Sequence, residues 1–363
     1  TLAGLPGGLV AHPGPHRRDR IVIDSLGGFS DPNFEGEDES DDPRRLSDRI
    51  LDDAAASGVT AVLVTLDYVA GPADPFEATV RDLGLWDARI RNSRGRLVKI
   101  RTAADILRAK ADGKIGVIYG FQNAAMVGDD ATWVDSFGDF GVRCIQLTYN
   151  PENRLGGGSL VPDSTGLTDF GRQVIDRLNA RDIMTDLSHS NRQTCLDAAA
   201  YSDRPISVNH TGCRALADLP RNKSDEELRA VAEKGGYVGI YFMPFLDLGA
   251  EADTADVVRH IDHAVRVCGE DHVGIGSDGT TTGLDDLAAY RRAVRTQNEE
   301  RHRLGIAAEG ERLDMIPIVP ELIGPDKFRR LADALSAHGF SEARIDKILG
   351  LNFLRFAREV WGG

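Results

Sequence analysis

The stretch Ile183-Met-Thr-Asp-Leu-Ser-His189, the segment 190–200 after it, and then Pro205-Ile-Ser-Val-Asn-His210 decide the fold. Two apolar runs each end in a histidine, and the residues between them have helical character. The reading is a β-α-β unit in which each strand delivers an imidazole at its C-terminal end. In a parallel α/β barrel those ends line one mouth, where chemistry is carried out. Two neutral imidazoles converging from adjacent strands are the start of a metal site.

Outward from this unit the alternation repeats. Besides the two histidine strands, apolar runs predict strands at 21–24, 60–66, 115–121, 142–149, 237–243 and 272–278. Helical segments fall between them, at 45–57, 75–87, 103–111, 132–140, 167–180, 224–234 and 255–267. The segment 167–180 places Phe170, Val174, Ile175 and Leu178 on a helical period. Ser224-Asp-Glu-Glu227 is a capping box that opens its helix. Eight strands alternating with helices predict an α/β fold, a (β/α)8 TIM barrel. Extra C-terminal helices are expected at 285–305, 327–338 and 341–360. Residues 1–20 read as an N-terminal extension, and 21–363 as a single barrel domain that includes those helices. No linker or internal repeat points to a second domain.

The chain has 363 residues, 41% of them apolar, enough for a large core. Its net charge of −14 disfavours nucleic acid and anionic membranes as partners. No apolar run reaches the roughly 18 residues of a membrane-spanning helix. No leader or anchor is visible, so cytoplasmic and exported or periplasmic locations both stay open. The four cysteines, Cys144, Cys195, Cys213 and Cys268, show no CxxC spacing and read as isolated buried thiols.

Asp24, Asp67, Gln122, Tyr149, His189, His210 and Asp278 stand at predicted strand ends. Two imidazoles among acids suit a divalent ion that activates water, and zinc fits two imidazoles, a carboxylate and an open position. Asp278 could take a proton from that water or complete the metal shell. Arg221, eleven residues after His210, is placed to clamp a substrate carboxylate. Asn150 and Asn153 are candidate donors to a substrate. His260 and His263, three apart on a predicted helix outside the barrel, read as packing or surface residues. Gly156-Gly-Gly158 lacks the Gly-Lys-Ser/Thr of a phosphate loop, and no Gly-x-Ser-x-Gly elbow occurs.

From Ile21 onward the chain resembles the membrane dipeptidase (renal dipeptidase) family, peptidase family M19 of the amidohydrolase-like barrels. The segments that carry the resemblance are Gly141-Val-Arg-Cys-Ile-Gln-Leu-Thr-Tyr-Asn150, Gly166-Leu-Thr-Asp-Phe-Gly171, Asp186-Leu-Ser-His189, Val208-Asn-His210, Arg221-Asn222 and Leu349-Gly-Leu-Asn-Phe-Leu-Arg355. The resemblance implies a (β/α)8 barrel with a binuclear zinc site that cleaves dipeptides. It implies metal ligands at His189 and His210, a carboxylate-holding arginine at Arg221 and an aspartate near the second metal at Asp278. The family's His-x-Asp motif falls on Leu26 and Gly28, its bridging glutamate on Gln122, and the histidine that assists the tetrahedral intermediate on Tyr149. Leucine and glycine bind no cation, and a neutral glutamine bridges two dications poorly. The expectation is therefore at most one zinc ion, or none.

The expected activity is hydrolysis of dipeptides or related small amides. Asp278 and Tyr149 would be catalytic, Arg221, Asn150 and Gln122 substrate-binding, and His189 and His210 metal-binding. A metal-independent isomerase or tailoring enzyme, and a non-catalytic small-molecule binding protein, are the alternatives. The expected partner is a small molecule or dipeptide, without nucleic acid or membrane insertion; a homodimer is compatible with the chain.

Overall fold

The computed structural model describes residues 19–34, 42–66, 68–161, 165–307 and 309–362. Asp67 lies outside the described residues, as do the segment 1–18, with His12 and His16, and the acidic residues 35–41. The strands in chain order are β1 (Ile23–Asp24), β2 (Gly27–Gly28), β3 (Ala61–Thr65), β4 (Leu97–Lys99), β5 (Ile115–Phe121) and β6 (Val142–Gln146). They continue with β7 (Met184–Asp186), β8 (Ser207–Thr211), β9 (Tyr237–Ile240), β10 (Val273–Ile275) and β11 (Gly279–Thr280).

Pairing runs β1-β3-β5-β6-β7-β8-β9-β10, every pair parallel. These eight are the predicted barrel strands. Helices cover their outer faces, so β5 is buried along its whole length, as a parallel strand clothed on both sides must be. Ser25 sews the last seam. Its backbone N–H donates to Ile275 O at 3.0 Å, and its hydroxyl reaches Asn209 O and Ile275 O, each at 2.7 Å. Above the seam, β2 and β11 pair in parallel and extend the wall toward the mouth.

The final helix, Asn352–Trp361, seals the opposite end. Asn352 donates to Val273 O, Arg355 to the carbonyls of Gly235 and Gly236, and Trp361 to Arg143 O, all at or just before strand starts. Phe353, Phe356 and Val360 pack there against Ile23, Met184 and Tyr237. Among the described residues, no helix is long and apolar enough to cross a membrane.

Several predicted bounds shift. The strand expected to reach Tyr149 stops at Gln146. The Gln146 amide donates to Thr148 O at 2.7 Å and to Gln122 O, which turns the chain and leaves Tyr149 and Asn150 on a loop. The helix expected at 341–360 is broken into Glu342–Asp346, a wide π turn at Lys347–Leu351, and the sealing helix. Strand β4 was not foreseen; three residues flanked by charge carry little signal.

Candidate active site

Asp186, the last residue of β7, sets the two strand ends. Its Oδ1 accepts from Ser188 N at 3.0 Å, Ser188 Oγ at 2.5 Å and Asn209 N at 3.1 Å. Ser188 Oγ in turn accepts from His210 N at 3.1 Å. The imidazoles of His189 and His210 therefore meet, with their Nε2 atoms 3.0 Å apart. Burial, and then the Arg221 guanidinium, hold both rings well below the usual histidine range, so both are neutral.

Arg221 is buried beside them. It donates to Ser188 O at 2.8 Å, His210 O at 3.2 Å and His189 Nε2 at 3.1 Å, and lies over the Tyr241 ring. Guanidinium is donor only, so Nε2 of His189 accepts and its proton sits on Nδ1. That Nδ1–H donates to Asn150 Oδ1 at 2.6 Å, and the Tyr149 ring stacks on His189 with centroids 4.3 Å apart. The loop can pack this closely because Gly158 lacks a side chain; a Cβ there would sit 2.0 Å from Tyr149 O.

A cavity of about 750 Å³ opens over this group, and Tyr149, Asn150, His189, Arg221 and Asp278 all line it. Gln122 and His210 are not among the lining residues; the Gln122 amide nitrogen lies 3.3 Å from His210 Nε2. Asp278 adopts a left-handed backbone (φ 55°), a conformation aspartate tolerates better than most residues, and its N–H donates to Leu26 O at 2.8 Å. Burial pushes its carboxyl above the usual range, against the pull of Arg221.

Asp24, the first strand-end acid, is engaged elsewhere. It accepts from Ser277 N at 2.7 Å, Ser277 Oγ at 2.5 Å and Lys327 Nζ at 3.3 Å. Asn153 fixes its loop by donating to Asn123 Oδ1 at 2.8 Å and Leu147 O at 2.7 Å. The sequence reading missed the cavity's roof, formed by the helix Leu287–Arg303 and the residues after it, Arg301 and Glu311 among them. Nothing in the residue spacing ties that tail to the mouth.

His260 and His263 stay apart from the site. His263 pairs with Asp225, and His260 is buried. His260 Nδ1 accepts from Cys213 N at 2.9 Å while Nε2 donates to Leu246 O at 3.0 Å. Burial pushes its pKa down to about 4 from 6.5. The unfolded chain thus binds the extra proton between those values, and stability present above pH 6.5 is lost as pH falls toward 4, by about 3 kcal/mol. The pH dependence of urea unfolding should be flatter by that amount in His260→Gln; identical curves would refute the assignment.

The sequence signature described as membrane dipeptidase (peptidase family M19) matches residues 44–299. The chain belongs to this family. Membership places it among the dipeptidase and amidohydrolase enzymes. An uncharacterized protein in the pqqA 5' region of Klebsiella pneumoniae is 31% identical over 301 residues, 80% of this chain and 98% of that protein. The crystal structure of an amidohydrolase from Pseudomonas aeruginosa superposes with a TM-score of 0.80 at 30% identity, covering 95% of this chain and 98% of its own. The dipeptidase verJ of Clonostachys rogersoniana is 28% identical over 231 residues, 60% of this chain and 58% of that one.

M19 enzymes are metallopeptidases, typically with zinc. The donor set here does not fit a two-metal centre. Among the described residues, no group of three or more His, Cys, Asp or Glu is placed to hold a metal ion. The first-strand positions are Leu26 and Gly28, and the bridge position is a neutral amide. Metal-binding histidines are usually oriented through their other nitrogen, yet His210 Nδ1 is buried with no hydrogen-bond partner among the described residues. A guanidinium on His189 Nε2 further disfavours a dication there.

Proposed function

We propose that the cavity takes a dipeptide or related small amide by its carboxylate and hydrolyses it, in a site that holds at most one metal ion. The observation that supports this most is one cavity shared by Arg221, His189, Tyr149 and Asp278. The Arg221 fork has five N–H groups and makes three described hydrogen bonds, which leaves Nε–H and one Nη1–H, either of which can meet a carboxylate oxygen. Asp278 accepts a proton from the attacking water, and its raised affinity for protons suits it to a base. Tyr149, fixed by its stack on His189, donates to the oxyanion as the amide carbonyl becomes tetrahedral. The C–N bond then breaks, and the amine leaves with the proton Asp278 took up. Asn150 and His189 hold this arrangement, while Gln122 and His210 back it.

Elemental analysis of the purified protein, together with turnover of a panel of L,L- and L,D-dipeptides, tests this. Cleavage of at least one dipeptide class with no more than one metal per chain is the expected result. Two tightly held metals, or no cleavage across the panel, would overturn it.

A specific contact favours a second reading. His189 Nε2 accepts from Arg221 and faces His210 Nε2 at 3.0 Å, so the pair is placed for proton transfer as well as for holding an ion. A metal-independent isomerase or tailoring enzyme acting on a peptide-derived molecule accounts for that contact. Activity fully retained in chelator, on a substrate rearranged rather than split, would select this reading.

A further inference from the structure

The family signature ends at residue 299, but the cavity does not. Arg301 lines the roof just beyond it, and its guanidinium is pinned there. Nε donates to Glu311 Oε1 at 2.6 Å, and Nη2 donates to Glu311 Oε2 at 3.1 Å and to Ile306 O at 3.4 Å. Ile306 O also accepts from Asn150 Nδ2 at 3.0 Å, so Arg301 and the histidine-bearing group share one scaffold. Nη1 takes no part in these bonds. Arg301 interacts electrostatically with Tyr149, His189 and Asp278. Two guanidiniums, one on the floor and one in the roof, thus address the same cavity in a chain whose net charge is −14.

We propose that Arg301 is a second anion-recognition group, and that the ligand is a dipeptide or small amide carrying a second carboxylate, with Arg221 holding one acid and Arg301 the other. The proposal rests on the reading of Arg221 given above. A pre-oriented guanidinium loses little freedom on binding and favours a carboxylate over a neutral side chain. Glu311 offsets part of that attraction, so the result is a preference between substrates and not an absolute requirement.

The test compares Ala-Ala with Glu-Ala and Ala-Glu, by thermal shift and by turnover, in the wild type, Arg301→Gln, Arg301→Lys, Glu311→Gln and Arg221→Ala. The wild type should favour at least one acidic dipeptide by about tenfold, as one charge-assisted contact allows. Arg301→Gln should bring that ratio close to one, Arg301→Lys should keep part of it, and Glu311→Gln should raise it. Melting temperatures of the unliganded variants separate loss of recognition from loss of fold, and the lysine variant keeps the comparison decisive if the glutamine variant unfolds. Equal handling of acidic and neutral dipeptides by the wild type, or a ratio indifferent to Arg301, would overturn the proposal while leaving Arg221 in place. Arg221→Ala binding every dipeptide as the wild type does would instead overturn the reading beneath it.

Discussion

Replacing Asp24 by asparagine is expected to destabilise the fold by about 3–5 kcal/mol, the range found when one partner of a buried ion pair is removed. The Asp24 and Lys327 side chains are only 2% and 1% exposed, and their charged atoms lie 3.3 Å apart. Burial pushes the carboxyl up and the ammonium down, each toward its neutral form, and their mutual attraction opposes both shifts. Asparagine keeps the shape but leaves the ammonium on two neutral acceptors, Ser277 Oγ at 2.8 Å and Thr280 O at 3.2 Å. The Ser277 contacts also join β1 to the end of β10, so the damage falls on the barrel's closing seam. Urea unfolding of the wild type, Asp24→Asn, Lys327→Met and the double variant measures the coupling. The double variant should recover much of the loss, because a neutral pair needs no compensation. A single Asp24→Asn variant within about 1 kcal/mol of the wild type would contradict this account.

Arg221→Ala should weaken binding of carboxylate ligands by about 2–5 kcal/mol, or roughly 30-fold to several-thousand-fold. Losing the guanidinium also strips a donor from Ser188 O and His210 O, so part of any loss is structural. The ligand can be edited to separate the two contributions. An amide-capped dipeptide lacks the carboxylate, and the wild type should bind it about as poorly as Arg221→Ala binds the free acid. Combining the capped ligand with the variant should then add little, since both changes delete the same contact. Additive losses would place the carboxylate somewhere other than on Arg221.

The barrel was legible because its strands are buried on both faces. Runs such as Ala61–Thr65 and Ile115–Phe121 are apolar without alternation, and the glycines and helical periods between them mark where the chain reverses. Strand ends were less legible. The chain leaves β6 through a side-chain hydrogen bond from Gln146 to Thr148 O, which no propensity records. The meeting of His189 and His210 followed from adjacent parallel strands of similar length. The Asp186–Ser188–His210 chain of hydrogen bonds that fixes their distance spans two strands and leaves no local pattern. Asp24 shows the limit of strand-end logic: the residue is where expected, but a lysine 303 positions away determines what it does. Arg301 reaches the cavity through tertiary packing of a tail helix whose sequence announces only a polar surface.

Asn150 joins the roof of the cavity to the histidine pair. Ile306 O can accept only from the NH₂ end of the amide, which forces the oxygen toward His189. That orientation agrees with the Arg221 guanidinium on Nε2, and both keep the ring proton on Nδ1. Loss of the Ile306 contact alone would leave that choice intact, because Ser159 Oγ still donates to the same Asn150 oxygen at 2.8 Å and Arg221 still donates to Nε2. The tautomer is thus fixed from several sides, and no single contact on the loop decides it.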